Sequence, residues 1–557
     1  MLIQQLRTRE LNDGAGTGDQ CGASDMKIIS SLLLANYLLF SAALAQSPIT
    51  LTVTNIPGYA ISTNFSGLSF GTISLKPGSK GYFFDSSDTQ MVVLFQQLGT
   101  KSLRIGGTSV DTNNSDYSPA TPDVDALFRF AKAAGVKVIY SLQLENGDPT
   151  QDAVMAGYIQ NNYGQYLDCF AIGNEPNNYG AADPAIKNFS SYLSQWNAFA
   201  TVITNSAPGA QFGGPDGDSS STGNSWGAQF ASAESGSGNV TAIQFHDYAG
   251  GSSAGLTVQQ IINDVLSSTW DSVTYPAEYT ACGSPALSLG FPYRFTEANS
   301  FYTGGSAGVS GGNNCFATAL FSLDFMHWWT LYGCQMACFH TAMWKYNGVF
   351  YPDSNGNYQV YPVGYGIKAF DLGGHGSVLP VGIVNTYGLN LTAYAVADPT
   401  NLYVTIINRE NGTSARSAAV AIQASGLIPQ NAAAIYLSAP NNDPSATNGI
   451  TLGGAPITDD GPWQGQWTSV GITNGQCTVT VAACSAAIVR MALQQAAPVI
   501  SLVLADAIPT VTYTGTLLSS TNLAGPYLPV AGASPPLYTI PATGSQMFYR
   551  VRAITNL

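Results

Sequence analysis

Between about Ile61 and Gly374 the chain alternates short strand-like runs with helix-like ones. The strand candidates are Asn64–Phe70, Ser102–Ile105, Lys137–Gln143, Leu167–Asn174, Gln211–Gly214, Ala242–His246, Tyr293–Glu297 and Cys334–His340. Parallel strands cannot be joined by tight turns, so each needs a crossover, and a helix on the outside is the usual one. Eight such units are the number that closes the sheet on itself, so the pattern predicts a (β/α)8 barrel over residues 61–375.

The helices between these strands have readable ends. Ser87 with Gln90 reads as a capping box before Met91, Leu94, Phe95 and Leu98, which share one helical face, and Gly99 is the stop. Thr121-Pro122 reads as an N-cap with proline in the first turn; Val124, Leu127, Phe128 and Ala131 form the buried stripe, and Gly135 ends it. A helix from about Cys315 to Leu331 is apolar nearly all round and is expected to be covered on every side.

After Gly374 the pattern changes to alternating or apolar runs at Leu389–Ala395, Leu402–Asn408, Ser417–Ile422, Ala433–Leu437 and Ala486–Met491, set between Gly, Pro and Asn clusters. These predict an antiparallel β-sandwich over 376–495, to which Ile49–Val53, within 46–60, adds a strand. Residues 496–557 contain short strands such as Thr510–Thr514 and Met547–Val551 and read as a small β-module. Tyr513, Tyr527 and Tyr538 serve there either as core or as a sugar-binding face.

Residues 1–45 stand apart. Met26-Lys27, an apolar run from Ile28 to Leu44, and Ala43-Leu44-Ala45 before Gln46 have the order of a secretory signal, about 26–45, with a polar extension ahead of it. The run is short for a membrane span and is interrupted by Ser30, Ser31 and Asn36. A secreted protein is therefore expected, without a membrane span. Cleavage after Ala45 leaves an odd number of cysteines, so at least one thiol stays free or bridges to another chain. Cys477 and Cys484 flank a short alternating segment and are candidates to staple a hairpin; Cys334 and Cys338 read as buried. With no CxxC pair and only 4 histidines, a zinc site is not expected, and neither is another metal or cofactor. The net charge of −14 argues against nucleic acid as a partner.

Barrel enzymes carry their catalytic groups where strands end and the following loops begin. Strand four ends Gly173-Asn174-Glu175-Pro176 and strand seven ends Phe295-Thr296-Glu297-Ala298-Asn299-Ser300, so two glutamates face one barrel mouth. Such a pair can open a glycosidic bond, one acid attacking the anomeric carbon and the other protonating the leaving oxygen, if the carboxyls stand about 5–5.5 Å apart. Glu145 closes strand three and is a rival at the same mouth, whereas Glu234 and Glu278 have no strand end beside them and read as surface groups. His246, in Phe245-His246-Asp247-Tyr248, is either a satisfied core histidine or part of the site.

The run Ile172-Gly173-Asn174-Glu175-Pro176-Asn177 resembles the acid/base segment of the 4/7 barrel glycosidases. Thr296-Glu297-Ala298-Asn299-Ser300, with Gly304-Gly305 and Gly308-Val309-Ser310, resembles the nucleophile segment of glycoside hydrolase family 79, the heparanase and β-glucuronidase family. Leu103-Arg104-Ile105-Gly106-Gly107 and Pro362-Val363-Gly364-Tyr365-Gly366 resemble that family's second strand and eighth helix entry, so the likeness spans about Ile49 to Gln494. The resemblance implies Glu175 as acid/base, Glu297 as nucleophile and Asn174 as a partner of the sugar 2-hydroxyl, with Tyr248 a candidate donor to Glu297. It also implies that the carboxylate of a uronic acid is met by Tyr302, Thr303 and Gly304 after strand seven and by a residue among Lys345, Tyr346 and Tyr351 after strand eight. The expected activity is that of a retaining exo-β-glucuronidase on a carbohydrate, with or without a 4-O-methyl group on the uronate. An endo-acting heparanase-like enzyme, a retaining β-glycosidase for a neutral sugar, and a carbohydrate-binding protein on an inactive barrel are the alternatives.

Overall fold

The structure is a computed structural model and describes residues 48–111, 118–302, 314–341, 348–353, 355–494, 498–505, 508–541 and 546–552. Eight parallel strands close into a barrel: Ser66–Gly71, Ser102–Gly106, Lys137–Leu142, Leu167–Ile172, Phe212–Gly217, Val240–Tyr248, Tyr293–Asn299 and Ala337–His340. The last pairs with the first from Ser66↔Ala337 to Ser69↔His340, so the sheet has no free edge. The segments expected from the sequence are the ones found, with ends shifted by a few residues. Strand six is longer than expected and strand eight shorter, beginning at Ala337, since Cys334 still bonds back to Trp329 of the preceding helix.

Two layers of core result. Outside the sheet, a large apolar cluster joins strands to helices; Trp329 alone packs on Phe295, Tyr275, Phe325 and Trp328. Inside, the lumen is filled by Ile139, Cys169, Ala171, Met336 and Cys338. Glycine supplies the space: a Cβ on Gly67 would sit 2.4 Å from the Cys338 sulfur, and one on Gly213 would sit 2.1 Å from Gln244 Nε2. The barrel is thus a packed interior that leaves only its end open to a ligand.

The helix Phe316–Leu331 is covered on all sides except at Leu331, as its sequence requires. Two helix starts differ from expectation. Asp88, not Ser87, caps Thr89–Gln97, accepting from the Met91 N–H at 3.0 Å, while Ser87 bonds to Asp85. In Thr121–Ala134 the cap position is Ala120, and Asp123 reaches back to its N–H at 2.8 Å, because a carboxylate two residues into the helix competes better than Thr121.

The second half builds two sheets around a core of Leu51, Val53, Leu402, Val404, Val420, Ile422, Val479 and Val489, among others. Ile49–Thr54 joins this sandwich, antiparallel to Val381–Val384 but parallel to Ala418–Ser425. The parallel pair departs from the all-antiparallel expectation; the whole barrel intervenes between its two strands, so no hairpin fixes their direction. Cys477 and Cys484 are not bonded to each other, and all seven described cysteines are buried. Cys477 packs in the sandwich core and Cys484 in the barrel-side core, so their side chains serve different interiors. In the last segment Val511, Tyr513 and Leu517 make a small core that Tyr538 packs against, while Tyr527 lies under Arg550 at 4.1 Å. Among the described residues no helix is long and apolar enough to cross a membrane.

Barrel and sandwich meet at a buried ion cluster. Asp324, on Phe316–Leu331, accepts from Arg409 Nη1 at 3.2 Å, Thr392 at 2.6 Å and Tyr394 at 2.9 Å, and Arg409 also pairs with Asp271. Removing one member of a buried pair strands the other charge, at a cost of about 3–5 kcal/mol. Arg409→Leu is therefore expected to lower the thermal midpoint markedly in a melt at neutral pH, whereas Arg416→Leu, whose side chain is 50% exposed, is expected to change it little.

Candidate active site

The open end of the barrel is organised by Arg104 on strand two, whose side chain is fully buried. Gly106 makes room for it, since a Cβ there would lie 2.4 Å from the guanidinium carbon. Its Nη1 donates to Glu297 Oε2 at 2.5 Å, and its Nη2 donates to Asn174 Oδ1 at 2.9 Å and Asp216 Oδ2 at 3.1 Å. His246 Nε2 is 3.3 Å from the same Nη2, and its Nδ1 is 3.0 Å from Glu175 Oε1. Five strand ends thus converge on one cation.

Glu297 lies on strand seven and is 7% exposed. Tyr248, at the end of strand six, donates its hydroxyl to Oε1 at 2.5 Å, and His340 Nδ1 at the end of strand eight stands 3.6 Å from the same oxygen. Burial opposes the charge on Glu297, but the His340 and His246 imidazoles, the Arg104 guanidinium and the Tyr248 hydroxyl outweigh it. They hold its carboxyl well below the usual carboxylate range. Burial, followed by the Glu297 charge, keeps Tyr248 protonated and hence a donor.

Glu175 is held differently. Strand four stops at Ile172, and Gly173 at φ +88° and Glu175 at φ +48° turn the chain sharply before Pro176. A non-glycine residue in the left-handed region is strained and persists only when its surroundings fix it. Here the Glu175 N–H donates to the Asp216 carbonyl at 2.9 Å. One residue earlier, Asp111 accepts from the Asn174 N–H at 2.8 Å, from Tyr179 at 2.6 Å, and from the Leu144 and Glu145 N–H groups. Burial pushes Asp111 up to about 6 against those bonds. The Glu175 side chain is 26% exposed, so it faces the opening while Glu297 lies beneath.

One oxygen each of Glu175 and Glu297 and a ring nitrogen of His246 lie within 4.8 Å of one another. Three such donors suggest a cation site, but Arg104 already bonds Glu297 and contacts His246, so the cluster carries its own positive partner. Burial disfavours the charge on His246, yet its hydrogen bonds to Asp216 and Glu175 prevail and push it up to about 9.

Of the residues expected here, Asn174, Glu175, Tyr248 and Glu297 come together, and His246 belongs to the site rather than to a neutral core. Tyr302 is 56% exposed at the rim, its ring edge-on to Tyr248 with centroids 6.0 Å apart. Tyr351 sits in a short hairpin, Phe350–Pro352 with Tyr358–Val360, and no hydrogen bond joins it to either glutamate. Thr303, Gly304, Lys345 and Tyr346 lie outside the described residues. Glu145 is half-buried, and Asp111 holds its backbone rather than its side chain. Glu234 is 7% exposed and Glu278 half-buried, so neither is the surface group expected; Glu234 lies beside the helix Phe189–Ser206, and Glu278 lies in the helix Tyr275–Ala281. Asp111, Asp216 and His340 were not singled out by the sequence reading. For Asp216 a signal existed in its place at the end of strand five.

The segment 393–488 matches the family described as glycosyl hydrolase family 79 C-terminal beta domain. No curated protein matches. Among solved structures, a 4-O-α-L-rhamnosyl-β-D-glucuronidase from Fusarium oxysporum 12S is similar at 18% identity and TM-score 0.61, over 79% of this chain and 99% of its own. A GH51 arabinofuranosidase from Xanthomonas axonopodis pv. citri is similar at 14% identity and TM-score 0.58, over 80% and 99%. An α-L-arabinofuranosidase from Thermotoga maritima is similar at 13% and 0.58, over 80% and 100%. At such identities the structural likeness is one of fold.

The His246 environment predicts a pH effect on stability. Its raised pKa makes the contribution complete below about pH 6.5 and lost as pH rises to about 9, worth about 3 kcal/mol at about 1.4 kcal/mol per pH unit. Melting curves of wild type and His246→Gln should accordingly differ most near pH 6 and converge towards pH 9.

Proposed function

We propose that this chain, a glycoside hydrolase carrying the C-terminal β domain of family 79, is a secreted, retaining, exo-acting β-glucuronidase. The observation that carries the retaining mechanism is the approach of Glu175 and Glu297 oxygens to within 4.8 Å. Retaining pairs stand about 5–5.5 Å apart, whereas inverting pairs leave about 6.5–9.5 Å for a water between them.

The two acids have unequal surroundings, which divides the roles. Glu297, buried and held ionised by Arg104 and Tyr248, attacks the anomeric carbon. As that bond forms, the bond to the leaving oxygen breaks and Glu175 gives that oxygen its proton. In the second half Glu175 takes a proton from water, the hydroxide oxygen bonds the anomeric carbon, and the Glu297 carboxylate leaves. Arg104 pairs with Asp216 and Glu297, while His246 Nδ1 meets Glu175 Oε1. Glu175, the more exposed of the two glutamates, faces the opening and so borders the leaving oxygen. Asn174 spends its oxygen on Arg104, which leaves its amide N–H groups to donate to the sugar 2-hydroxyl.

The choice of glucuronic acid rests on the family match and on the activity named for the Fusarium structure. Tyr302 at the rim, with Thr303, Gly304 and Lys345, Tyr346 or Tyr351, is assigned to the uronate carboxylate. Exo action and secretion rest on the acidic balance of the chain and its signal-like segment at about 26–45. A retaining β-glycosidase for a neutral sugar is the second reading, since structures with this fold also include enzymes named for neutral sugars.

An aryl β-glucuronide should be hydrolysed with the β anomer of glucuronic acid appearing first by NMR, and a panel of aryl glycosides should rank it above the neutral sugars. Glu297→Ala is expected to lower kcat by several orders of magnitude with the melting curve still cooperative. First formation of the α anomer, or near-normal turnover by that variant, would overturn the assignment.

A further inference from the structure

The side of the site that meets the leaving group is set by Glu175, because the acid that protonates the departing oxygen must border the aglycone. Glu175 Oε1 is turned inward to His246, so Oε2 is the oxygen on the open side. There the Asn178 Nδ2 stands 3.5 Å from Glu175 Oε2 and 2.9 Å from Asp218 Oδ2, so one amide nitrogen bridges the two carboxyls. Asn177 Nδ2 donates to Asp218 Oδ1 at 2.7 Å, and Asn177 Oδ1 accepts the Asp218 N–H at 3.2 Å.

Asp218 has a structural role as well. It precedes the helix Ser221–Ala233, and its Oδ1 accepts from the Ser220 N–H at 3.1 Å and from the Ser220 hydroxyl at 2.5 Å. That role uses Oδ1. Oδ2 is turned to Asn178 and Glu175, where a helix start has no need of it. Several donors and a helix N-terminus surround the carboxylate. It is half-buried, so its field reaches a bound ligand with less screening than a free surface charge would have.

Resting on the glucuronidase reading, we infer that Asp218 is a specificity-determining residue: a fixed negative charge on the leaving-group side that selects neutral aglycones over sulfated or carboxylated ones. The uronate itself lies on the other side of the scissile bond, so one site can accept an acid there and reject an acid here. A like charge several ångströms away in partly screened surroundings is worth on the order of threefold to thirtyfold in kcat/KM.

The test uses the full chain and two aryl β-glucuronides, one bearing a sulfonate on a ring insulated from the leaving oxygen, so that leaving-group basicity is matched. Wild type should prefer the neutral substrate, and Asp218→Asn should narrow that preference several-fold. Asp218→Glu should restore it, and salt should narrow it in wild type but not in Asp218→Asn. A general disturbance of the turn would lower both rates together and leave their ratio alone. A wild-type ratio that Asp218→Asn does not move overturns the inference while the glucuronidase reading stands. Failure of the unaltered chain to turn over either substrate defeats that reading and the inference with it.

Discussion

A single buried guanidinium holds the mouth of this barrel together. The Arg104 side chain is fully buried, so its charge has to be met by protein. Glu297 and Asp216 supply the counter-charge, and Asn174 a neutral acceptor. Because Arg104 stands on strand two and these partners come from strands four, five and seven, satisfying one cation also fixes the spacing of four strands. The geometry of the site and its local electrostatic balance are here the same requirement.

The two glutamates sit at similar points of the fold and yet differ in what they can do. Glu297 continues a regular strand and points into a site lined by donors, which favours a permanent negative charge. Glu175 stands on a left-handed turn beyond its strand, secured through its backbone by Asp216 and through the preceding residue by Asp111. Asp216 thereby links the acids, since its carbonyl holds Glu175 while its side chain accepts from Arg104 and, at 2.5 Å, from Thr296 beside Glu297. The backbone strain at Glu175 is the cost of bringing a second carboxyl over the first.

The rest of the chain supports that arrangement from a distance. The lumen is filled beneath the site, and the helix Phe316–Leu331 is clamped to the sandwich through Asp324 and Arg409. Asp324 satisfies the hydroxyls of Thr392 and Tyr394 on a sandwich strand, so the second domain is tied to the barrel by polar as well as apolar contacts.

The sequence by itself determined the periodic elements. Eight strand-like runs between helical stripes compel a closed parallel barrel, and a glutamate at the end of a buried strand has nowhere to point but the mouth, so Glu175 and Glu297 were legible. What it left open were contacts between residues far apart in the chain. Arg104 was visible only as part of a strand motif, and nothing local pairs it with residues 174, 216 and 297. Glu234 and Glu278 looked like solvent groups because burial depends on which neighbouring elements cover a helix. Cys477 and Cys484 lie seven residues apart yet serve opposite cores, since a turn between two sheets sends its ends to different interiors. Only closure of the barrel decided which charges meet, because a charge's partner is set by three-dimensional proximity and the cost of leaving it alone, and neither is written in sequence spacing.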